Sequence, residues 1–223
     1  MGKTARGRVR VAIVQSNYIP WAGYFQLIAK CDLFIFLDDV QYTRRDWRNR
    51  NKIRTKQGDR WLTIPLKQSG NYEARIDEMT ISDQLWGTRH FDTLAASYRS
   101  APGWKRYADA LEWCYIDSPE RLSLINRSFI ELGMQWLGVA TPLAWSTQYE
   151  SHGTKSVKLV DLFLACGATV YLSGPSARDY LDEKLFNDHG IAVEWMEYGD
   201  WPRLSFLHVL FVSGESTLSI LPR

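Results

Sequence analysis

Short, uninterrupted apolar runs alternate with amphipathic stretches near both ends of this chain. VRVAIV (9–14), apolar but for Arg10, and DLFIFL (32–37), apolar after Asp32, show the pattern of strands buried on both faces. Between them QSNYIPWAG, with Pro20 and Gly23, reads as a loop, and GYFQLIAK has helical spacing through Tyr24, Leu27 and Ile28. Strand, loop, helix and strand in that order make the unit of a parallel sheet with a right-handed crossover.

WLTIPL (61–66) alternates and predicts a third strand, with KQGD as the turn before it. ARIDEMTI (74–81) is read as a further strand. From 83 to 138 the period becomes helical. SDQLWGTRHFDTLAASYRS opens on an N-cap serine, and PGWKRYADALEWCYI has Pro102 near its first turn. SPERLSLINRSFIELGMQWLG opens on the capping pattern of Ser118, Pro119 and Glu120, and Gly138 is its expected C-cap. The α/β alternation then resumes. TPLAWSTQ (141–148) is a strand, TKSVKLVDLFLACG a helix with Val157, Val160 and Leu164 on one face, and ATVYLS (168–173) a strand. GPSARDYLDEKLFNDHG supplies a loop and a helix, and IAVEWMEY (191–198) a last strand. The expected fold is α/β, a mostly parallel sheet flanked by helices, with a helical insertion around residues 83–138. The expected organisation is a flexible tail over 1–10 and a single α/β domain over 11–223 carrying that insertion.

Composition changes this picture little. The chain has 223 residues, 45% apolar and 23% charged, ordinary values for a globular protein. No apolar run approaches the ~18 residues of a membrane span, and MGKTARGRVR leads into no signal-peptide core. A cytoplasmic protein without a membrane partner is expected. Cys31, Cys114 and Cys166 lie far apart and form no CxxC pair, so a zinc site is not expected. Ten tryptophans fit either a bulky core or a surface for flat ligands.

Charge is more telling. Residues 42–60 carry eight Lys/Arg against Asp46 and Asp59, on a chain whose net charge is only +2. A local basic patch on a near-neutral body fits a compact anionic ligand at least as well as a nucleic acid. Taken as extended, the patch puts Arg45, Trp47 and Asn49 on one face and Arg48, Arg50 and Lys52 on the other. A solvated charged face explains a good part of it equally well.

In open α/β sheets ligands bind beyond the carboxyl ends of strands. Four segments leave such ends here: QSNYIPW, LDDVQYTRRDW, STQYESHG and LSGPSARDY. In the last, a Gly-Pro turn into a helix would leave N–H groups near Ser176 to Arg178 free for an anion, with Ser173, Ser176 and Arg178 as side-chain donors. Plain capping by Ser176 is the other reading. Asp38 and Asp39, ending a strand, suit a general base, a metal ligand or a hydroxyl acceptor, or merely an ion pair with Arg44 or Arg45. His152, just before a helix, suits a general base. GxSxG, P-loop, GxGxxG and HExxH signatures are missing, which leaves classical hydrolase, NTPase and Rossmann dehydrogenase readings unsupported.

The order of QSNYIPWAGYFQLIAKCDLFIFLDDVQYTRRDWRNRNKIRT, WLTIPL and YLSGPSARDYLDEKLF resembles the WbqC-like family of bacterial proteins. That family carries an HQPxYxPWxGYF-like opening, a DVFVFLDDVQFxKxxWxNRNKI-like block and a YLSGxxxxDYLD-like loop. Two departures stand out: Val14 and Ser16 replace the histidine and proline of the opening, and His208 stands where aspartate is usual. The closing GESTLSILPR also looks unlike the family. The resemblance implies a part in glycan or specialised-metabolite assembly. It marks Gln15, Asn17, Tyr18, Pro20, Trp21, Asp38, Asp39, Gln41, Trp47, Asn49, Arg50, Lys52, Ser173, Gly174, Asp179 and Tyr180 as candidates.

The expectation is a transferase acting on an amino group of a sugar nucleotide or similar polar metabolite, by acyl or aminoacyl transfer. Arg48, Arg50, Lys52 and the Ser173–Arg178 loop would hold phosphate or carboxylate, and Tyr18, Trp21 and Trp47 would stack on substrate. Asp38, Asp39 or His152 would take the proton. A nucleotide-dependent nucleotidylyltransferase or ligase with magnesium at Asp38 or Asp39, and a non-catalytic scaffold subunit, are the other readings. The cofactor is unknown, and aminoacyl-tRNA and a second copy of the chain stay open as partners.

Overall fold

A computed structural model describes residues 7–67 and 73–214. The chain runs β1 Arg10–Val14, α1 Ala22–Ala29, β2 Leu33–Phe36, β3 Arg50–Thr55 and β4 Gly58–Thr63. Then come α2 Trp86–Tyr98, α3 Trp104–Ile116, α4 Leu122–Leu137 and β5 Leu143–Trp145. The last elements are α5 Lys155–Ala165, β6 Val170–Ser173, α6 Glu183–Asp188, β7 Ala192–Trp195 and α7 Phe206–Ser213. Two compact units divide them: residues 1–14, 27–37 and 140–199 form the first, and 15–26, 38–139 and 200–223 the second.

The first unit holds a five-stranded sheet of order β5-β2-β1-β6-β7, parallel throughout. The fold is therefore α/β with a parallel sheet. Val11 pairs with Leu33 on one side of β1 and with Tyr171 on the other. Strands with neighbours on both edges and packing on both faces need apolar side chains toward both, which is why residues 11–14 and 33–37 show no alternation. Val11, Ile13, Ile35, Phe163, Tyr171, Phe186 and Ile191 belong to one buried cluster. The Phe163 ring lies 4.6 Å from Tyr171 and 5.8 Å from Phe186. Strand order reverses between β1 and β6, the kind of place where open sheets leave a crevice for ligands.

The second unit holds the β3–β4 hairpin and helices α2, α3, α4 and α7. The helical insertion expected over 83–138 is present as α2 to α4. Gly138, at φ 67°, ends α4 in the left-handed conformation, and the Val139 N–H bonds the Met134 carbonyl behind it.

Three local expectations need correction. WLTIPL supplies a strand only to Thr63, as half of an antiparallel hairpin with β3. ARIDEMTI is not a strand: a single 3₁₀ turn covers Ile76–Glu78, between isolated bridges of Arg75 with Gln41, Thr80 with Arg121 and Ile81 with Leu66. The same pairing delays α4. The Ile81 N–H bonds the Glu120 carbonyl at 3.0 Å and the Leu122 N–H bonds the Met79 carbonyl at 2.9 Å. Arg121 is thereby held extended, so Ser118 does not cap the helix, which starts at Leu122. Likewise α2 and α3 start at Trp86 and Trp104, with no side-chain cap from Ser82. Residues 1–6 of the expected tail, and nearly all of GESTLSILPR, lie outside the described residues. Among the described residues no helix is long and apolar enough to cross a membrane.

Candidate functional site

The basic block of the second unit does not behave as one extended strand. β3 begins only at Arg50, and Arg45 before it sits at φ 58°, so the strict alternation expected across residues 45–52 breaks. Within β3 alternation holds: Asn51 and Ile53 are buried, while Arg50 and Lys52 lie on the other side over the Trp61 ring, at 4.2 and 5.2 Å. Trp47 leans on Trp61 with ring centroids 5.3 Å apart, and both indoles stay partly exposed. This gives a cationic and aromatic surface.

Arg48 parts company with Arg50 and Lys52. Its guanidinium donates to the side-chain carbonyls of Asn17 and Gln15, and Asp46 lies 3.5 Å from it. The QSNY loop and the basic block are thus tied together by one planar fork. Their backbones also join, the Tyr18 N–H to the Trp47 carbonyl at 3.1 Å. Asn51 donates to the Ile19 carbonyl at 2.9 Å and steadies a residue held at φ 36°.

Asp38 stands at the centre of this network. It is 1% exposed, and its Oδ1 accepts the Ser16 N–H at 2.8 Å. Its Oδ2 has no hydrogen-bond partner among the described residues. The Ser16 hydroxyl accepts from Asn126 on α4 at 2.9 Å, and the same Asn126 amide donates to the Arg48 carbonyl at 2.9 Å. Burial pushes the Asp38 carboxyl up to about 6, against the pull of the Ser16 N–H and hydroxyl and of the Arg48 charge. Asp77, whose N–H bonds the Asp38 carbonyl at 3.0 Å, adds a repulsion. Asp39 is half-buried and feels the charge of Arg75, whose backbone bridges Gln41.

Tyr18, expected to stack on substrate, is fully buried. Its hydroxyl lies 2.8 Å from His90 Nδ1 and 2.7 Å from the Tyr115 hydroxyl. Trp86 and Phe129 meet its ring edge-on. It anchors the loop instead of presenting a face. Trp21 lies half-buried over Gly23, where a β-carbon would come within 2.4 Å of its ring.

Burial drops His90 to about 4, so its neutral form is the one built in. A folded pKa below the usual 6.5 means that stability is complete above pH 6.5 and falls as pH drops toward 4. Relative to His90→Asn, the wild type is expected to lose about 3 kcal/mol of unfolding free energy between pH 6.5 and 4, read by urea denaturation at each pH. Parallel pH profiles would show that His90 charges freely in the fold.

In the first unit, Ser173 ends β6 buried, and the Tyr198 hydroxyl lies against Gly174. The helix expected to begin at Ser176 is a single 3₁₀ turn, Pro175–Ala177, and α6 starts at Glu183, capped by Asp182. The N–H groups of Ala177 and Arg178 are consumed inside that turn, by the Gly174 and Pro175 carbonyls at 3.1 and 3.2 Å. Two of the backbone donors expected to meet an anion there are therefore already used. Ser176, Arg178, Asp179 and Tyr180 are exposed, with the Arg178 guanidinium 5.1 Å from the Trp195 ring centre. His152 is also exposed, pairing with Glu150 at 3.2 Å while its N–H bonds Asp161 at 2.7 Å. Cys31 is buried and Cys114 and Cys166 half-buried; among the described residues no three His, Cys, Asp or Glu gather as a metal would require.

Sequence reasoning missed Asn51, Asn126 and Tyr42, named Ser16 only as a departure from the family opening, and named Arg44 and Arg45 only as members of the basic patch and as ion-pair partners for Asp38 or Asp39. Asn126 carried a readable signal, since an asparagine on the apolar face of a helix between Ile125 and Phe129 must find buried partners. Ser16 gave none.

The model of the WbqC-like protein family matches residues 15–221. The chain belongs to that family. It is 42% identical over 217 residues, 92% of this chain and 94% of the relative, to the uncharacterized protein Rv1507c of Mycobacterium tuberculosis. No solved structure matches. The position where the sequence departs from the family pattern, His208, is half-buried on α7, with its Nδ1 3.1 Å from the Tyr98 hydroxyl. Burial and the Arg54 charge lower its pKa, against the pull of Asp59.

Proposed function

We propose that this WbqC-like protein is a transferase acting on an amino group of an anionic polar metabolite, such as a sugar nucleotide, in glycan or specialised-metabolite assembly. The observation that carries this reading is Asp38, a buried carboxylate with one oxygen unpartnered among the described residues and its pKa raised to about 6. A base poised close to the working pH is what a neutral amine nucleophile needs to shed a proton as it attacks. In the transfer, the amine nitrogen bonds the acyl carbon of the donor and the donor's leaving group departs. The nitrogen then gives one proton to Asp38 Oδ2. Arg48 and Asn126 fix the loop that holds the Ser16 N–H on Oδ1. Arg50 and Lys52 over Trp61 give a charged and aromatic surface for the anionic part of the substrate. Aminoacyl-tRNA as donor would use the same surface, and its binding would weaken steeply with salt.

The test supplies a nucleotide-linked amino sugar or its hydroxyl counterpart, with an acyl thioester or charged tRNA as donor. Both sugars are expected to raise the Tm by roughly 5–10 °C at a hundredfold excess over Kd. Only the amine-bearing one is expected to gain the acyl mass in mass spectrometry. No Tm shift with any phosphorylated sugar would sink the proposal.

A further inference from the structure

A concave pocket of about 210 Å³ opens beside the basic block, lined by Tyr42, Arg44, Arg45, Asn49, Arg50 and Thr63. Its polar groups are oriented by bonds that leave one atom of each unused. Asn49 is 4% exposed; its Nδ2 donates to the Ile64 carbonyl at 2.8 Å, and its own carbonyl accepts the Ile64 N–H at 2.8 Å. The amide cannot flip without losing that bond, so Oδ1, a pure acceptor, is the atom left without a partner among the described residues. Tyr42 is 7% exposed, held by its N–H to the Ala74 carbonyl at 2.9 Å, and its hydroxyl is likewise unpartnered. Arg50 lays one face on Trp61 and donates an Nη to the Arg45 carbonyl, while its Nε–H stays buried and unpartnered.

Three buried polar atoms with no described partner, on three residues that line one cavity, are rare in a folded protein, where such atoms almost always find one. Arg45 adds a second mark. It is held at φ 58°, a conformation unfavourable for a residue with a β-carbon, at the edge of this same pocket. The chemistry of the set is specific. Guanidinium groups select an oxyanion. The Tyr42 hydroxyl and the Arg50 Nε–H can donate to it, whereas Asn49 Oδ1 can only accept. The occupant must therefore combine negative charge with an O–H or N–H of its own.

We infer that this pocket binds a phosphoryl group that carries, or directly adjoins, an O–H or N–H donor aimed at Asn49 Oδ1. This deepens the function proposed above, on which it rests for the anionic class of the metabolite. It also reassigns the anion-binding set: Arg48 is spent on Gln15 and Asn17, and the phosphoryl falls to Tyr42, Arg44, Arg45 and Arg50.

Inorganic phosphate keeps an O–H at neutral pH and sulfate does not, so the two separate the acceptor from plain charge. Titrated by calorimetry into the intact protein, phosphate is expected to bind at least about tenfold more tightly than sulfate. Tyr42→Phe and Arg45→Gly are each expected to weaken phosphate about tenfold or more. Glycine takes up φ 58° without strain, so Arg45→Gly keeps the fold while removing the charge. Sulfate binding as well as phosphate, or phosphate binding unchanged in both variants, overturns the pocket. If it is overturned while amino-sugar nucleotides still raise the Tm of wild type and variants alike, the transferase proposal stands and the anion is bound elsewhere.

Discussion

Asp38→Asn is expected to keep the fold, to gain stability at neutral pH and to lose turnover. The folded carboxyl titrates at about 6 against an ordinary 3.8, so burying its charge costs about 3 kcal/mol at pH 7. Asp38 is almost fully buried, so solvent does little to screen that cost. A carboxyl whose folded pKa is raised contributes stability in full below its unfolded pKa of 3.8, and loses it as pH rises through about 6. Asparagine keeps the acceptor for the Ser16 N–H but places an amide where Oδ2 was, a buried donor costing about 1–3 kcal/mol if unpaired. The net gain at pH 7 is therefore up to about 2 kcal/mol, a rise of a few degrees in Tm. Under the transferase proposal, in which Asp38 is the base, this variant should lower transfer by about 10²- to 10⁴-fold. The Asp38 and His90 profiles run in opposite directions between pH 4 and 6.5, so the variant should expose the acid loss due to His90 that the wild type masks. Full turnover in a folded variant would remove Asp38 from the chemistry.

Trp86→Ala is expected to be the most destabilising single change, because it empties the centre of a box of rings. Trp86 is 1% exposed, and Tyr18, His90 and Tyr115 lie 6.0, 5.3 and 5.7 Å from it, all steeply inclined to its plane. Truncating a buried tryptophan costs about 3–5 kcal/mol in lost burial and residual cavity, or roughly 10 °C in Tm for a chain of this size. The change also frees Tyr18, which carries the loop holding Gln15 and Asn17 onto Arg48. Binding of the anionic metabolite proposed above should weaken at temperatures where the variant is still folded. Trp113 on the neighbouring helix is 66% exposed, and Trp113→Ala should stay within about 0.5 kcal/mol of wild type. Chemical denaturation of the pair checks this; equal losses would mean the box contributes nothing specific.

The carboxylate and the basic block were legible because each is written locally. An apolar run ending in Asp38-Asp39, followed by alternating Arg and Asn, announces a charged loop after a strand. Which arginine faces which partner was not legible. Arg48 turns to Gln15 and Asn17, residues 33 and 31 positions away, while Arg50 stacks on Trp61 across a hairpin. Nor could spacing reveal that residues 79–81 would pair with 120–122 and displace a capping pattern that is locally sound. A single 3₁₀ turn at Pro175–Ala177, with the Ala177 and Arg178 N–H groups bonded back into it, looks, in one dimension, like the start of a helix.

By itself the sequence determined the buried strands of the parallel sheet, the helical insertion and the family, because hydrophobic period and motif order depend on near neighbours. Only the tertiary structure decided the protonation of Asp38, the neutrality of His90 and the free acceptor on Asn49. Each follows from burial and from partners distant in sequence, and the free energy of a charge depends on what has been brought around it.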